Sequence, residues 1–108
     1  MKKFDQSYIL LEEMYEDDYY PAFLVDKIKE LLEDLIYYLE EGETDKNKIQ
    51  DKLDEITRAM NLLDDEFEEN DSDLETIARE CIAENIEYIL QWFQVEIDIE
   101  TAIREREW

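Results

Sequence analysis

The sequence predicts an all-α fold: a compact antiparallel helical bundle of three long helices plus a short helix at each end, forming a single domain over residues 1–108. Glycine and proline occur only once each, which leaves little material for the turns of a sheet. Hydrophobic residues make up 44% of the chain, enough to fill one core. They recur at spacings of three and four residues, as on the buried face of helices.

The first, short helix is predicted by four apolar residues at helical spacing, with Asp5 or Ser7 as its N-cap. These residues are Phe4, Tyr8, Leu11 and Tyr15. Pro21 fits the first turn of a second helix, where its missing N–H needs no partner. That helix is predicted over residues 22–40, and Gly42 follows at the position of a helix C-terminal stop.

The third helix is predicted over residues 45–68, with Thr44 or Asp45 as its N-cap. Its apolar residues alternate spacings of four and three, which is a narrow heptad-like seam. The seam consists of Ile49, Leu53, Ile56, Met60, Leu63 and Phe67. Because it is only about three heptads long, a packed bundle helix is favoured over an extended coiled coil.

The fourth helix is predicted over residues 73–93, because Ser72 and Glu75 form the Ser-x-x-Glu pattern of a capping box. Its apolar face is wide, and we therefore expect this helix at the centre of the bundle. After an extended stretch over residues 94–97, Asp98 is predicted to cap a last short helix that reaches Ile103.

Charge limits the functions open to this chain. It carries 33 acidic side chains, 11 basic side chains and no histidine, for a formal net charge of −22. Direct binding to nucleic acid or to an anionic membrane surface is disfavoured, because both carry negative charge. Lack of histidine removes the usual general base and the commonest metal ligand, so we predict no catalytic residue, metal site or cofactor.

Localisation is predicted from cysteine use and from the first residues. Cys81 is the only cysteine, which leaves no intramolecular disulfide. No apolar signal-peptide core follows Lys2 and Lys3, and no apolar run approaches the length of a membrane span. We therefore expect a cytoplasmic protein that does not enter a membrane.

Two long stretches contain no lysine or arginine, one between Lys3 and Lys27 and one between Arg58 and Arg79. Each ends in a predicted connection between helices, so the two would form one negative pole if they lay at the same end of the bundle. Tyrosines beside acids are typical of binding surfaces, although these rings could instead close the end of the core. The candidate partner-binding residues are Tyr15, Glu16, Asp17, Asp18, Tyr19, Tyr20, Asp64, Asp65, Glu68, Glu69, Asp71 and Asp73.

Three segments resemble a bacterial family of uncharacterised small proteins, the unknown-function family numbered 5713. They are residues 14–27 (MYEDDYYPAFLVDK), residues 66–72 (EFEENDS) and residues 78–84 (ARECIAE). The resemblance covers most of the chain and is weakest in the third helix. It implies a compact helical protein of a bacterial cytosol, and it implies no activity and no functional residue.

The sequence as a whole indicates a non-enzymatic acidic protein-binding module. Its most concrete form is an inhibitor or immunity-type protein, monomeric or weakly self-associating, that masks a basic partner such as a nuclease. A nucleic-acid mimic is a subtype of this hypothesis. Two alternatives remain open: a small carboxylate-rich metal-dependent enzyme, and a helical subunit that self-associates through exposed apolar surface.

Overall fold

Three long helices and two short ones form the regular structure of residues 2–108, the part of the chain that this computed structural model describes. The helices are α1 (Glu12–Tyr15), α2 (Ala22–Glu40), α3 (Lys46–Glu69), α4 (Thr76–Trp92) and α5 (Ile99–Ala102). No strand occurs within residues 2–108. The predicted all-α architecture, with three long helices and a short helix near each end, is confirmed.

The long helices alternate in direction. Near the start of α2, Lys27 pairs with Glu66 near the end of α3, with 2.9 Å between Nζ and Oε1, so α2 and α3 are antiparallel. These two helices form the closest pair. The chain then reverses again, and the backbone N–H of Leu74 donates to Asp64 Oδ1 at 3.2 Å just before α4 begins. All five helices contribute to one cluster of buried side chains.

The ends of α2 and the start of α3 follow the sequence closely. Helix α2 spans the predicted residues, and the N–H of Gly42 donates to the carbonyl oxygen of Leu39 at 3.0 Å. Gly42 has a φ of 98°, a conformation that favours glycine. Asp45 is the N-cap of α3, since its carboxylate accepts the N–H of Asn47 at 2.9 Å. Asp98 caps α5 in the same way, as predicted.

The predicted capping box of α4 is wrong. Glu75 is itself the N-cap, and its carboxylate accepts the N–H groups of Ile77 and Ala78. The helix therefore begins at Thr76, three residues later than expected, and the hydroxyl of Ser72 has no hydrogen-bond partner among the described residues. A carboxylate can reach the first free N–H groups of its own helix, so the serine was not needed as a cap.

The expected central position of α4 is also wrong. Helix α4 makes its closest backbone contacts with the short helices α1 and α5, whereas the closest pair of long helices is α2 with α3. One face of α4 is exposed and carries Glu80, Glu84 and Glu87. Its wide apolar face packs against the two chain ends as well as the core, which accounts for the width without a central position.

The first helix is shorter than predicted. Only residues 12–15 are helical, because Leu11 adopts a left-handed conformation with φ 57° and ψ 32°. Phe4 and Tyr8 precede this turn in an irregular segment and pack with Tyr88 and Trp92 of α4. Their four-residue spacing reflects a turn, closed by the N–H of Tyr8 and the carbonyl oxygen of Asp5 at 3.3 Å, that brings both rings to one helix.

Candidate acidic binding surface

The two acidic connections meet at one end of the bundle. The hydroxyl of Tyr20, in the connection before α2, donates to the carboxylate of Glu75, in the connection before α4. The ring of Tyr20 also packs edge-on against Phe67, with 6.4 Å between ring centroids. We call residues 16–19, 64, 65 and 68–73 the acidic pole.

Some carboxylates of the acidic pole hold its backbone in place. Asp17 Oδ1 accepts the N–H of Tyr19 at 2.9 Å, and Asp64 Oδ1 accepts the N–H of Leu74 at 3.2 Å. Asp73 is partly buried, and its Oδ1 lacks a hydrogen-bond partner within residues 2–108. Asp17 and Asp64 thus shape the two connections, and all three acids are only partly exposed to a partner.

The remaining carboxylates of the acidic pole point to no intramolecular partner. No side-chain hydrogen bond or ion pair within residues 2–108 involves them, and they belong to Glu16, Asp18, Asp65, Glu68, Glu69 and Asp71. All six residues are exposed. They therefore carry concentrated negative charge that only solvent, ions or a partner can neutralise.

Three basic residues that bound the acidic stretches contact side chains outside the acidic pole. Lys27 pairs with Glu66, and Arg58 Nε lies 3.3 Å from Glu105 Oε1. Arg79 donates to the hydroxyl of Thr76 at 3.3 Å. The neighbouring cations thus leave the six exposed carboxylates unpaired.

The three tyrosines of the predicted site have different environments. Tyr20 is only 4% exposed and belongs to the core, in agreement with the alternative of a ring that closes the end of the bundle, so it offers little surface to a partner. Tyr19 is 44% exposed and packs edge-on against Tyr20, with centroids 5.2 Å apart. Partial burial and the charge of Asp73 raise the pKa of Tyr19.

Tyr15 lies apart from the acidic pole. Its hydroxyl donates to Asp26 Oδ1 on α2 at 2.5 Å, which turns the ring toward that helix. Burial and this hydrogen bond raise the pKa of Tyr15. The structure thus brings Tyr19 to the acidic pole, places Tyr20 beneath it, and directs Tyr15 to the side.

Sequence reasoning missed two apolar side chains at this end. Phe23 and Ile77 are exposed, and each is the second residue of a helix that begins at the acidic pole. Phe23 lies off the buried stripe of α2, which is the signal that could have identified it. The four-residue spacing to Cys81 predicts Ile77 on the apolar face of the fourth helix, and this prediction is wrong because Ile77 is 46% exposed. Together with Tyr19 they give the charged end a set of apolar contacts.

Within residues 2–108, no three His, Cys, Asp or Glu side chains are grouped so that they could hold a metal ion. None of the helices in this part of the chain combines the length and the apolar character needed to cross a membrane.

Comparison with known sequences gives the family. The sequence model of a family described as a family of unknown function (DUF5713) matches residues 4–108. Neither a curated protein nor a solved structure gives a significant match. Since the family match covers almost the whole chain, the chain belongs to this family of unknown function.

Proposed function

We propose that the chain is a non-enzymatic protein-binding module that masks a basic partner, as an inhibitor or immunity-type protein does. The observation that carries the proposal is the meeting of two acidic connections at one end of the bundle, joined by Tyr20 and Glu75. Six exposed carboxylates at that end lack an intramolecular partner within residues 2–108. A basic surface would neutralise them.

The negative charge of the acidic pole acts first on the rate at which a partner associates. Concentrated charge of one sign steers an oppositely charged protein and raises its association rate, and the effect falls steeply with salt. Spreading the same charge over the whole surface would give solubility with less direction. Clustering at one end therefore favours a docking role over a purely solubilising one.

Retention of the partner needs contacts other than charge. Tyr19, Phe23 and Ile77 expose apolar surface at the end of the bundle that carries the acidic pole. Aromatic side chains supply large contact area and are frequent among residues that dominate binding energy. In the proposal, the carboxylates guide the partner and these side chains hold it.

A pair of charge-matched variants tests the proposal. The pole variant carries Asp17→Asn, Asp18→Asn, Glu69→Gln and Asp71→Asn. The dispersed variant carries Glu41→Gln, Asp51→Asn, Glu84→Gln and Glu87→Gln, which lie at exposed positions away from the pole. Each variant loses four negative charges, so the two have the same net charge. The amide oxygen that Asp17→Asn introduces can still accept the N–H of Tyr19.

The experiment is affinity capture from a lysate of the source organism by immobilised wild type and both variants, at about 50 mM and about 300 mM salt. We expect wild type and the dispersed variant to retain the same basic protein at low salt. The pole variant should lose it, and a Tyr19→Ala variant should retain less. Equal retention by the two charge variants would contradict the proposal.

The proposal extends to setting and assembly. We propose a bacterial cytoplasmic protein that is a monomer or a weak homo-oligomer before it meets its partner. The lone, buried thiol of Cys81 needs no oxidising compartment, and a net charge of −22 opposes association between copies.

A further inference from the structure

A second surface, which shares only Glu16 with the acidic pole, lies beside α2. The irregular N-terminal segment, α1 and one face of α2 line a groove of about 630 Å³, which we call the α2 groove. On the helix side it extends from Lys29 to Glu40, a separation of eleven positions along the helix and therefore about 16 Å. On the other side it extends from Phe4 to Glu16.

The α2 groove exposes apolar surface that the fold does not cover. Ile9 is 60% exposed and Tyr37 is 57% exposed, and the two lie on opposite sides of the groove. Tyr15 adds a third exposed apolar side chain, and the buried side chains of Phe4 and Ile36 also contribute to the lining. Facing apolar side chains along a channel of this length are typical of grooves that accept an amphipathic helix.

The charges that line the α2 groove indicate which kind of partner it binds. Five carboxylates line the α2 groove with a single cation, Lys29, and they belong to Asp5, Glu12, Glu16, Glu33 and Glu40. Asp5 and Glu40 already accept hydrogen bonds from Tyr88 and from the N–H of Phe4. The other three have no side-chain partner within residues 2–108, so they are available to cations of an occupant.

The same charges disfavour other occupants. A second copy of the chain would bring another net charge of −22 against an acidic rim. An anionic lipid surface would be repelled for the same reason. A purely cationic, unstructured peptide would satisfy the carboxylates but leave Ile9 and Tyr37 uncovered.

We infer that the α2 groove binds a cationic amphipathic helix of a partner protein. Apolar side chains of that helix at spacings of three and four residues pack on Ile9 and Tyr37. Its lysines or arginines reach Glu12, Glu16 and Glu33 on the rim. The inference does not depend on the proposed function, because it rests on an apolar lining that the acidic pole does not share.

A synthetic peptide tests this inference with the intact chain. The probe is a fluorescently labelled helix of about 12 residues, matched to the length of the groove, with leucines on one face and lysines on the other. The comparison probe has the same number of lysines and serines in place of the leucines. We expect saturable, one-to-one binding of the amphipathic probe and much weaker binding of the comparison probe.

Variants locate the site of binding. Ile9→Ser with Tyr37→Ser should weaken binding of the amphipathic probe by about tenfold or more, as loss of two central contacts does in other interfaces. Leu62→Ser, an exposed leucine on α3, is the matched control and should bind like wild type. The pole variant should also retain most of the binding, which separates this inference from the proposed function.

Three results would overturn the inference. The first is an absence of saturable binding to the amphipathic probe. The second is equal affinity for both probes, which would reduce the interaction to net charge. The third is unchanged affinity in the Ile9→Ser, Tyr37→Ser variant. Circular dichroism of this variant is the control that a loss of affinity does not come from a loss of the fold.

Discussion

The side-chain oxygen of Asn85 accepts the backbone N–H of Leu11 at 2.9 Å inside the core. Leu11 is fully buried in a left-handed conformation, which costs a residue with a Cβ roughly 1–2 kcal/mol. The amide group of Asn85 also donates to the carbonyl oxygen of Cys81 at 2.7 Å. One buried side chain on α4 thus provides the hydrogen-bond acceptor for the turn that leads the N-terminal segment into α1.

Replacing Asn85 should therefore weaken the whole fold. In Asn85→Ala the N–H of Leu11 loses its partner away from water, which costs about 1–3 kcal/mol. Urea unfolding should show that decrease in the free energy of unfolding, and hydrogen exchange at the Leu11 amide should accelerate. The matched control is Glu84→Ala at the adjacent exposed position. A change in Asn85→Ala within about 0.5 kcal/mol, as for an ordinary surface substitution, would contradict this role.

The C-terminal segment is held by Asp54, a buried carboxylate of α3. Arg104 donates to both of its oxygens, at 3.1 and 2.7 Å, and Gln50 donates to Oδ1 at 2.9 Å. Burial acts to raise the pKa of Asp54, but these hydrogen bonds and the charge of Arg104 outweigh it, so the pKa is lowered. A lowered pKa stabilises the fold above the unfolded value of about 3.9, and that contribution is lost as pH falls through the folded value.

Asp54→Asn should consequently lower the free energy of unfolding by about 1–2 kcal/mol at pH 7. This figure already includes the weakening of the ion pair by solvent around the half-exposed Arg104. The difference between wild type and variant should be smaller at about pH 3 than at pH 7, because about pH 3 lies below the unfolded value of about 3.9 and closer to the lowered folded pKa of Asp54. Urea unfolding at both pH values measures it, with the exposed Asp51→Asn as control. A difference that is the same at both pH values would show that the charge of Asp54 is not the stabilising feature.

The raised pKa of Tyr15 predicts that the fold loses stability at high pH. Burial raises its pKa, and so do its hydrogen bond to Asp26 and the charges of Asp26 and Glu33. A raised pKa means that the contribution to stability is complete below about 10, the unfolded value, and is lost as pH rises through the folded value. In an ultraviolet titration of tyrosinate, Tyr15→Phe should lose one late-ionising group. An unchanged late phase in that variant would contradict the assignment.

Self-repulsion predicts the response to salt. Moderate salt should raise the melting temperature of the wild type, because it screens a net charge of −22. At low salt the pole variant should melt higher than the dispersed variant, since it removes charges that lie close together. Differential scanning calorimetry from about 20 mM to about 300 mM salt measures both effects. A melting temperature that is flat or falls with salt would show that repulsion does not limit stability.

Local sequence signals predicted the helix ends at which a single residue determines the backbone conformation or supplies the cap. Gly42 ends α2 because few other residues accept its φ of 98°, and Asp45 begins α3 through a carboxylate in reach of a free N–H. The N-terminal segment was mispredicted because Leu11 departs from helical geometry through a tertiary contact with Asn85. Residues 74 positions apart in sequence make that contact, and no spacing rule includes it.

The negative charge of the candidate site could be predicted from the sequence. The environments of its tyrosines and the existence of the α2 groove could not. The acidic stretches could be read directly, and their meeting follows from helices that alternate in direction. Tyr19 and Tyr20 are neighbours in an irregular connection, where neither helical nor strand periodicity assigns one ring to solvent and the other to the core. The α2 groove depends on how the irregular segment before α1 lies against α2, which the sequence pattern misassigned to a helix.

The most direct test of the acidic pole is the rate at which the captured basic protein associates with wild type and with the two charge-matched variants. We predict that the pole variant associates about tenfold more slowly at low ionic strength and loses much of the salt dependence, while the dispersed variant keeps a rate close to wild type. Equal slowing of the two variants would show that net charge alone attracts the partner, and would contradict a binding surface at the pole.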